Sequence, residues 1–277
     1  MGIVGVCGSV NMDVFGYVAR LPRPGETLTG DRLMYAPGGK GANQAVAAAR
    51  AGARVRFVGA CGRDHFGDEL VESLSADGID ISALRRVDTP TGVALILVEH
   101  SGENEIVALY GANHDVSGPE PDAGVSVWVT QAEVPVGAVE ATLRAARATG
   151  ATAIVNPAPA GHLPIELVMQ FDVAVVNETE LDALGSARAP ATILTMGAAG
   201  ARVLPDGDTL PAFPASVVDT TGAGDALVGG MAAGIAEGME LVDALRFGMA
   251  TAALATEQPG CQPAMPRREQ IDQRLAG

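Results

Sequence analysis

Two glycine-rich stretches carry residues suited to handling a phosphate group and its acceptor. The first, PGGKGANQA from Pro37 to Ala45, sets three glycines around Lys40, the only lysine in the chain, just before a run that reads as a helix. Glycine lets backbone approach a ligand closely, and the first turn of a helix offers unpaired N–H groups. Gly41 follows Lys40 where a Walker loop needs Ser or Thr, so this is a different device. Read alone, it is equally a glycine-rich turn with a solvated lysine. The second stretch, VVDTTGAGDALVGG from Val217 to Gly230, leads from an apolar segment through Thr-Gly-Ala-Gly-Asp into an Ala/Leu/Val helix. Leu227 stands where the dinucleotide fingerprint requires its third glycine. Small residues at a helix start aim several N–H groups and the positive dipole end at one point, which makes an anion hole of Gly222, Ala223 and Gly224. Asp225, in that first turn, has two readings: a favourable dipole partner, or a general base for an attacking hydroxyl.

The elements that must position these stretches follow from periodicity. GIVGVCG (residues 2–8) is a short apolar run ending in glycine, which predicts a central strand delivering Asn11 and Asp13 to the sheet's carboxyl edge. NQAVAAARAG predicts a helix stopped by Gly52, VRFVGA a strand, and FGDELVESLSADG a second amphipathic helix, a β-α-β alternation that implies a parallel sheet. Further strands are expected near 125–130, 152–155, 173–176 and 192–195, with a helix over 138–149. A hairpin is expected around Asp206-Gly207-Asp208, then helices near 223–236, 240–256 and 268–275. Residues 14–36 and 91–110 alternate more loosely, the second around the turn Ser101-Gly102-Glu103, and predict a small β lid on the main body. The whole is expected to be one three-layer α/β/α domain over residues 1–277, Rossmann-like, with a mainly parallel central sheet.

Composition narrows the classes. The chain has 277 residues, 48% hydrophobic but only 4% aromatic, so Ala, Val, Leu and Ile must fill the core. A net charge of -15 without any Lys/Arg cluster argues against a nucleic-acid surface and against a membrane surface. The first twenty residues lack a basic start and hold Asn11 and Asp13 where a signal peptide is apolar, which points to the cytoplasm. Cys7, Cys61 and Cys261 are odd in number and widely spaced, and read as reduced structural thiols.

In this order and separation the motifs resemble the ribokinase branch of the PfkB carbohydrate kinases. The resemblance runs through GSVNMD (Gly8 to Asp13), PGGKGANQA, GACGRDHFG (Gly59 to Gly67), TPTGVAL (Thr89 to Leu95) and GANHDVS (Gly111 to Ser117). It continues through NPAPA (Asn156 to Ala160), NETE (Asn177 to Glu180), TMGAAG (Thr195 to Gly200) and DTTGAGD (Asp219 to Asp225). It implies transfer of the ATP γ-phosphate to a sugar hydroxyl, with ribose the leading acceptor and Mg2+ at the phosphates. Another acceptor, such as deoxyribose, fructose, a nucleoside or a sugar acid, or a silent sugar-binding protein, are the competing readings.

The resemblance also implies roles. Asn11, Asp13, Gly39, Lys40, Asn43 and Glu133 match sugar-binding positions, Asp225 the base, and Gly222, Ala223 and Gly224 the anion hole. Asn177 and Glu180 match an N-x-x-E motif that organises magnesium and phosphate, although Asn followed three residues later by Glu is also a capping box. Thr195, Gly197 and Gly200 match nucleotide contacts, and the base is expected near Gly248 and Met249. A monovalent-cation site, K+ in the family, would use Asp219 and the backbone of Thr221, but Pro259 and Ala264 depart from the pattern there. Only fourteen residues separate Glu180 from Thr195, short of the family's usual extra helix. An exposed lid face implies a homodimer.

Overall fold

The computed structural model describes residues 2–205 and 207–277; Asp206, in the expected hairpin, lies outside the described residues. The chain opens with β1 (Ile3–Cys7), β2 (Asn11–Val18) and β3 (Arg32–Gly38), followed by α1 (Lys40–Arg50), β4 (Arg54–Gly62), α2 (His65–Ala76) and β5 (Asp80–Val87). The hairpin β6 (Gly92–Glu99) and β7 (Asn104–Leu109) leads through a 3-10 turn at Gly111–Asp115 to β8 (Val125–Gln131), α3 (Val136–Thr149) and β9 (Thr152–Asn156). Next come α4 (Ile165–Val168), β10 (Val173–Val176), α5 (Glu178–Leu184), β11 (Ala191–Thr195), β12 (Ala201–Leu204) and β13 (Thr209–Leu210). Helices α6 (Ala223–Ala236), α7 (Leu241–Ala255) and α8 (Arg268–Ala276) complete it.

Nine strands form the main sheet in the order β13-β12-β11-β10-β9-β8-β1-β4-β5, parallel except where β12 and β13 run antiparallel at one edge. Strands buried on both faces carry apolar residues throughout. Alternate residues of β1 and β8 divide between two cores: Val4, Val6, Val127 and Val129 pack with α1, α2, α6 and α7, whereas Cys7 and Trp128 pack with α3 and α4. The three-layer α/β/α arrangement predicted from the alternation is the one observed. The three cysteines are buried and free.

Helix α6 explains the composition. Nearly every residue of AGDALVGGMAAGIA is buried, so the helix must be apolar all round and thin. A Cβ on Gly229 would come within 2.5 Å of the Gln44 carbonyl and 2.6 Å of the Ala47 Cβ of α1, and one on Gly230 within 2.5 Å of Thr251 Oγ1 of α7. Glycine and alanine therefore let three helices approach closely over the sheet, where larger side chains would hold them apart.

A second sheet, in the order β3-β2-β6-β7, stands beside the first. It begins at Asn11, three residues before the expected start, because β2 pairs with β3 and β6 from its first residue. Asn11 and Asp13 thus sit in a strand rather than in a loop at the main sheet's edge. Strand β5 was not legible: Ser82, Arg85 and Arg86 interrupt its alternation, as an edge strand with little buried face tolerates. Residues 185–190 join α5 to β11 with no further helix.

Substituting Gly229→Val should force α1 and α6 apart and destabilise the protein by about 1–3 kcal/mol, the usual penalty for overpacking. Chemical denaturation compared with wild type checks this. An unchanged midpoint would show that the helices have room to move.

Candidate active site

Strand β1 lies between β8, which leads to one half of the sheet, and β4, which leads to the other. In open parallel sheets such a switch point leaves a crevice beyond the carboxyl ends of the strands. Gly8 and Ser9 lie just past β1, and Gln131 and Glu133 at and past the end of β8. Helix α1 starts against them: a Cβ on Gly41 would meet the Gly8 backbone at 2.6 Å, so both positions need glycine. Gly39, at φ 88°, occupies the N-cap without a capping side chain. The cap comes from outside the helix, because Glu133 Oε2 accepts from the Lys40 N–H (3.2 Å) and the Ser9 hydroxyl (2.5 Å), and Ser9 Oγ accepts from the Gly41 N–H (3.3 Å).

Asp225 stands in the first turn of α6, whose N-cap Gly222 has φ 76° and no side-chain cap. The first bond within the helix runs from the Ala226 N–H to the Gly222 carbonyl, so the amides of Gly224 and Asp225 precede the ladder. The Asp225 carboxylate is only 7% exposed, yet it lines a cavity of about 220 Å³ together with Lys40, Asn156, Asn177, Glu180, Thr195, Gly222 and Gly224. Seven residues singled out in the sequence, drawn from four separate motifs, therefore share one space. A larger cavity of about 310 Å³, between residues 157–168 and α5, touches Glu180 but neither Lys40 nor Asp225.

Donors converge on the Asp225 carboxylate. Asn43 Nδ2 donates to Oδ2 at 3.0 Å and Gln44 Nε2 to Oδ1 at 2.9 Å. Asn43 Oδ1 accepts in turn from Gln262 Nε2 (3.0 Å), and Gln44 Oε1 from Gln131 Nε2 (2.6 Å). Asn43, expected at the sugar, is therefore also a support for the acid, with one Nδ2 proton still to offer. Asn11 is buried and fixed by Asn113, whose Nδ2 donates to Asn11 Oδ1 at 2.6 Å.

Electrostatics around Lys40 are asymmetric. Burial, and then the charges of Glu133 and Asp225, push the Asp13 carboxyl up to about 7. Asp13 lies against the Gly38 backbone, where any Cβ would collide with it. Burial also raises Glu133 and Glu180. The Asp225 charge raises Lys40 in spite of its burial, so the lysine keeps its proton among these acids.

The reciprocal capping box is formed, with the Asn177 N–H donating to Glu180 Oε2 and the Glu180 N–H to Asn177 Oδ1, both at 2.9 Å, and both side chains also line the cavity. Gly197 lies on an exposed turn at φ 54°, while Gly200 packs against the Leu210 carbonyl and has a structural reason to be glycine. Asp219 accepts from the N–H groups of Thr221 (2.9 Å) and Gly260 (2.8 Å), clamping two loops together. Of Gly248 and Met249, expected near a base, Gly248 packs closely against Leu227 and Met231 of α6, and Met249 is buried.

Sequence reading assigned no role to Ser9, Gln44, Asn113, Gln131, Asn156 or Gln262. The available signal was polarity at strand ends: VSVWVTQ and TAIVN are apolar runs that finish on an amide at the sheet's carboxyl edge.

A family model described as pfkB family carbohydrate kinase matches residues 3–268. A ribokinase of Haemophilus influenzae is 36% identical over 96% of this chain and 95% of its own length. A ribokinase structure from Thermotoga maritima superposes with a TM-score of 0.92 at 30% identity, covering all of both chains. An Arabidopsis thaliana ribokinase complexed with ribose and ATP gives 0.91 at 28% identity, covering 100% of this chain and 99% of that one.

The raised Asp13 carboxyl has a consequence for stability. An acid raised on folding keeps in the native state a proton that the unfolded chain releases, so stability falls as pH climbs from about 4 to about 7. Asp13→Asn should melt above wild type at pH 8, by roughly 2–4 °C for each kcal/mol of relief. The gap should narrow toward pH 5. Parallel melting curves for the two proteins across that range would refute the assignment.

Proposed function

The chain belongs to the pfkB family of carbohydrate kinases, and we propose that its reaction is the ATP-dependent phosphorylation of D-ribose to ribose 5-phosphate. One observation carries this reading. The Asp225 carboxylate shares a cavity with Lys40 and the α6 N-terminus, and it is held by Asn43, a residue of the same motif as Lys40. Acid, phosphate-binding amides and sugar motif thus converge within one pocket. Similarity to ribokinases, one of them complexed with ribose and ATP, supports ribose as the acceptor.

In this reading Asn11, Asp13, Gly39, Lys40, Asn43 and Glu133 hold the sugar, whose hydroxyl groups suit a set of carboxylates and amides that both donate and accept. Glu133 offers Oε1, since Oε2 is taken by Ser9 and the α1 terminus. Asp225 takes the proton of the attacking hydroxyl. The amides of Gly222 and Gly224, at the positive end of α6, stabilise charge on the transferring phosphoryl group, while the Ala223 N–H, expected to share that role, donates to the Thr220 carbonyl at 3.2 Å. Asn177, Thr195, Gly197 and Gly200 border the nucleotide. Glu180 suits magnesium through water and phosphate oxygens, because its own oxygens already accept from Asn177. When bound, Mg2+ would neutralise phosphate charge.

For a monovalent cation at Asp219 and Thr221 the support is weaker: Asp219 spends both oxygens on N–H donors, and Ala264 brings no hydroxyl, so K+ is given no part in the chemistry. The small sheet is assigned as a lid over the sugar and as the face of a homodimer. Tyr35, Leu95 and Val107 form one cross-strand row, with Leu33 and Leu109 on the same face, all at least 43% exposed. Apolar surface of that kind is stabilised by burial against a second copy.

Two measurements test these assignments. ADP release with a panel of pentoses, hexoses, nucleosides and sugar acids should be fastest with ribose, and Asp225→Asn should lower kcat by about 10² to 10⁴. Sugar-independent ADP release, or full activity of the variant, would sink the reading, while a different preferred acceptor would change only the substrate. Light scattering should give a dimer mass for wild type and a monomer mass for Leu95→Glu/Val107→Glu, with a monomeric wild type counting against the shared lid.

A further inference from the structure

We infer that Gln44 is a positioning residue for the reaction, turning and holding the Asp225 carboxylate, and that Gln131 fixes which end of the Gln44 amide faces it. The inference rests on the kinase reading of the site and goes beyond it to a residue that reading does not use.

Four observations support it. Gln44 and Gln131 are fully buried, in a layer where α1 faces β8 and the same-face residues along β8 are Val127 and Val129. Long amides in such a place are retained for their hydrogen bonds, since apolar residues would otherwise fill the volume better. The bonds have a definite direction. Gln131 Nε2 donates to Gln44 Oε1 at 2.6 Å, which leaves the NH2 end of Gln44 to face Asp225 Oδ1 at 2.9 Å and Asn156 Oδ1 at 3.3 Å. A flipped Gln44 would set its carbonyl against a carboxylate and its NH2 against another NH2, so the relay has one stable orientation. Asn156 is anchored in its turn, donating from Nδ2 to the Val175 carbonyl at 2.9 Å.

Gln131 also keeps Oε1 buried with no hydrogen-bond partner among the described residues, so it is the donor end that serves the site. Gln44 and Asn43, adjacent on α1, grip one carboxylate oxygen each. The plane of the carboxylate is thereby set by one turn of one helix, with each oxygen keeping acceptor capacity beside the cavity that Asp225 and Lys40 both line. A general base needs its lone pair within hydrogen-bond reach and in line with the proton it accepts.

The test compares Gln44→Leu, Gln131→Leu, the double variant and Gln44→Glu with wild type, each checked for a cooperative melt. Gln44→Leu should lower kcat by roughly 10- to 100-fold with the sugar KM within about threefold, as expected for misaligned rather than missing chemistry. Gln131→Leu should give a smaller loss of the same kind, and the double variant should be no worse than Gln44→Leu, because the two act through one bond. Gln44→Glu should recover toward wild type as pH falls, when the new carboxyl gains a proton to donate. Lys40, Asp13, Glu133 and Glu180 also face this region, so activity is taken relative to wild type at each pH. Loss through KM alone, additive effects of the two leucine substitutions, or wild-type kcat in Gln44→Leu would overturn the inference. Should Gln44→Leu fail to fold, Gln131→Leu and the pH profile of Gln44→Glu decide it. A wild type inert toward every sugar would overturn the kinase reading itself, and the inference with it.

Discussion

A carboxylate removed from water must be met by donors, and the site is built around how Asp225 meets that demand. Hydrogen bonds to a charged group are worth about 1.5–3 kcal/mol each, and leaving such a group buried without them costs more. Asp225 receives two, from adjacent residues of α1, while its own helix supplies the dipole end. The acid is therefore tied to α1 and α6 at once, and each helix holds its place only if the other does. Gly41 against Gly8 and Gly229 against Gln44 are the close approaches that make this possible. The small residues of the core and the geometry of the site are one requirement.

The same helix start serves two charges of opposite sign. Glu133 caps α1 through the Lys40 amide while the Lys40 side chain reaches the cavity that Asp225 lines. Glu133, Glu180 and Asp225 act on one ammonium group, Asp13 feels Glu133 and Asp225 in turn, and burial raises Asp13, Glu133 and Glu180. Acids kept partly protonated by burial can both donate to and accept from hydroxyl groups, a chemistry compatible with a family of carbohydrate kinases.

Much of this could be read before any coordinates. The parallel strands and the helix boundaries at 223–236 follow from apolar runs and from glycines placed where helices start, and the grouping of Lys40 with Asp225 follows from the family resemblance of the ordered motifs. What escaped was long-range. Glutamine at 44 and 131 looks like any polar residue until α1 is laid across β8, and Asn43 reads as a ligand residue until its carbonyl meets Gln262. Strand β5 escaped because an edge needs no strict alternation. An apolar helix face such as that of Gly248 and Met249 does not declare whether it meets a ligand or another helix.

The donors that hold Asp225 lie 181 and 182 positions earlier in the chain, and Gln262, which orients one of them, lies 219 positions beyond its partner. A nascent polypeptide still on the ribosome thus owns the lysine and its loop long before it owns the acid or the amide that locks the opposite side. A cut between residues 44 and 225 would leave the acid on one piece and both of its donors on the other.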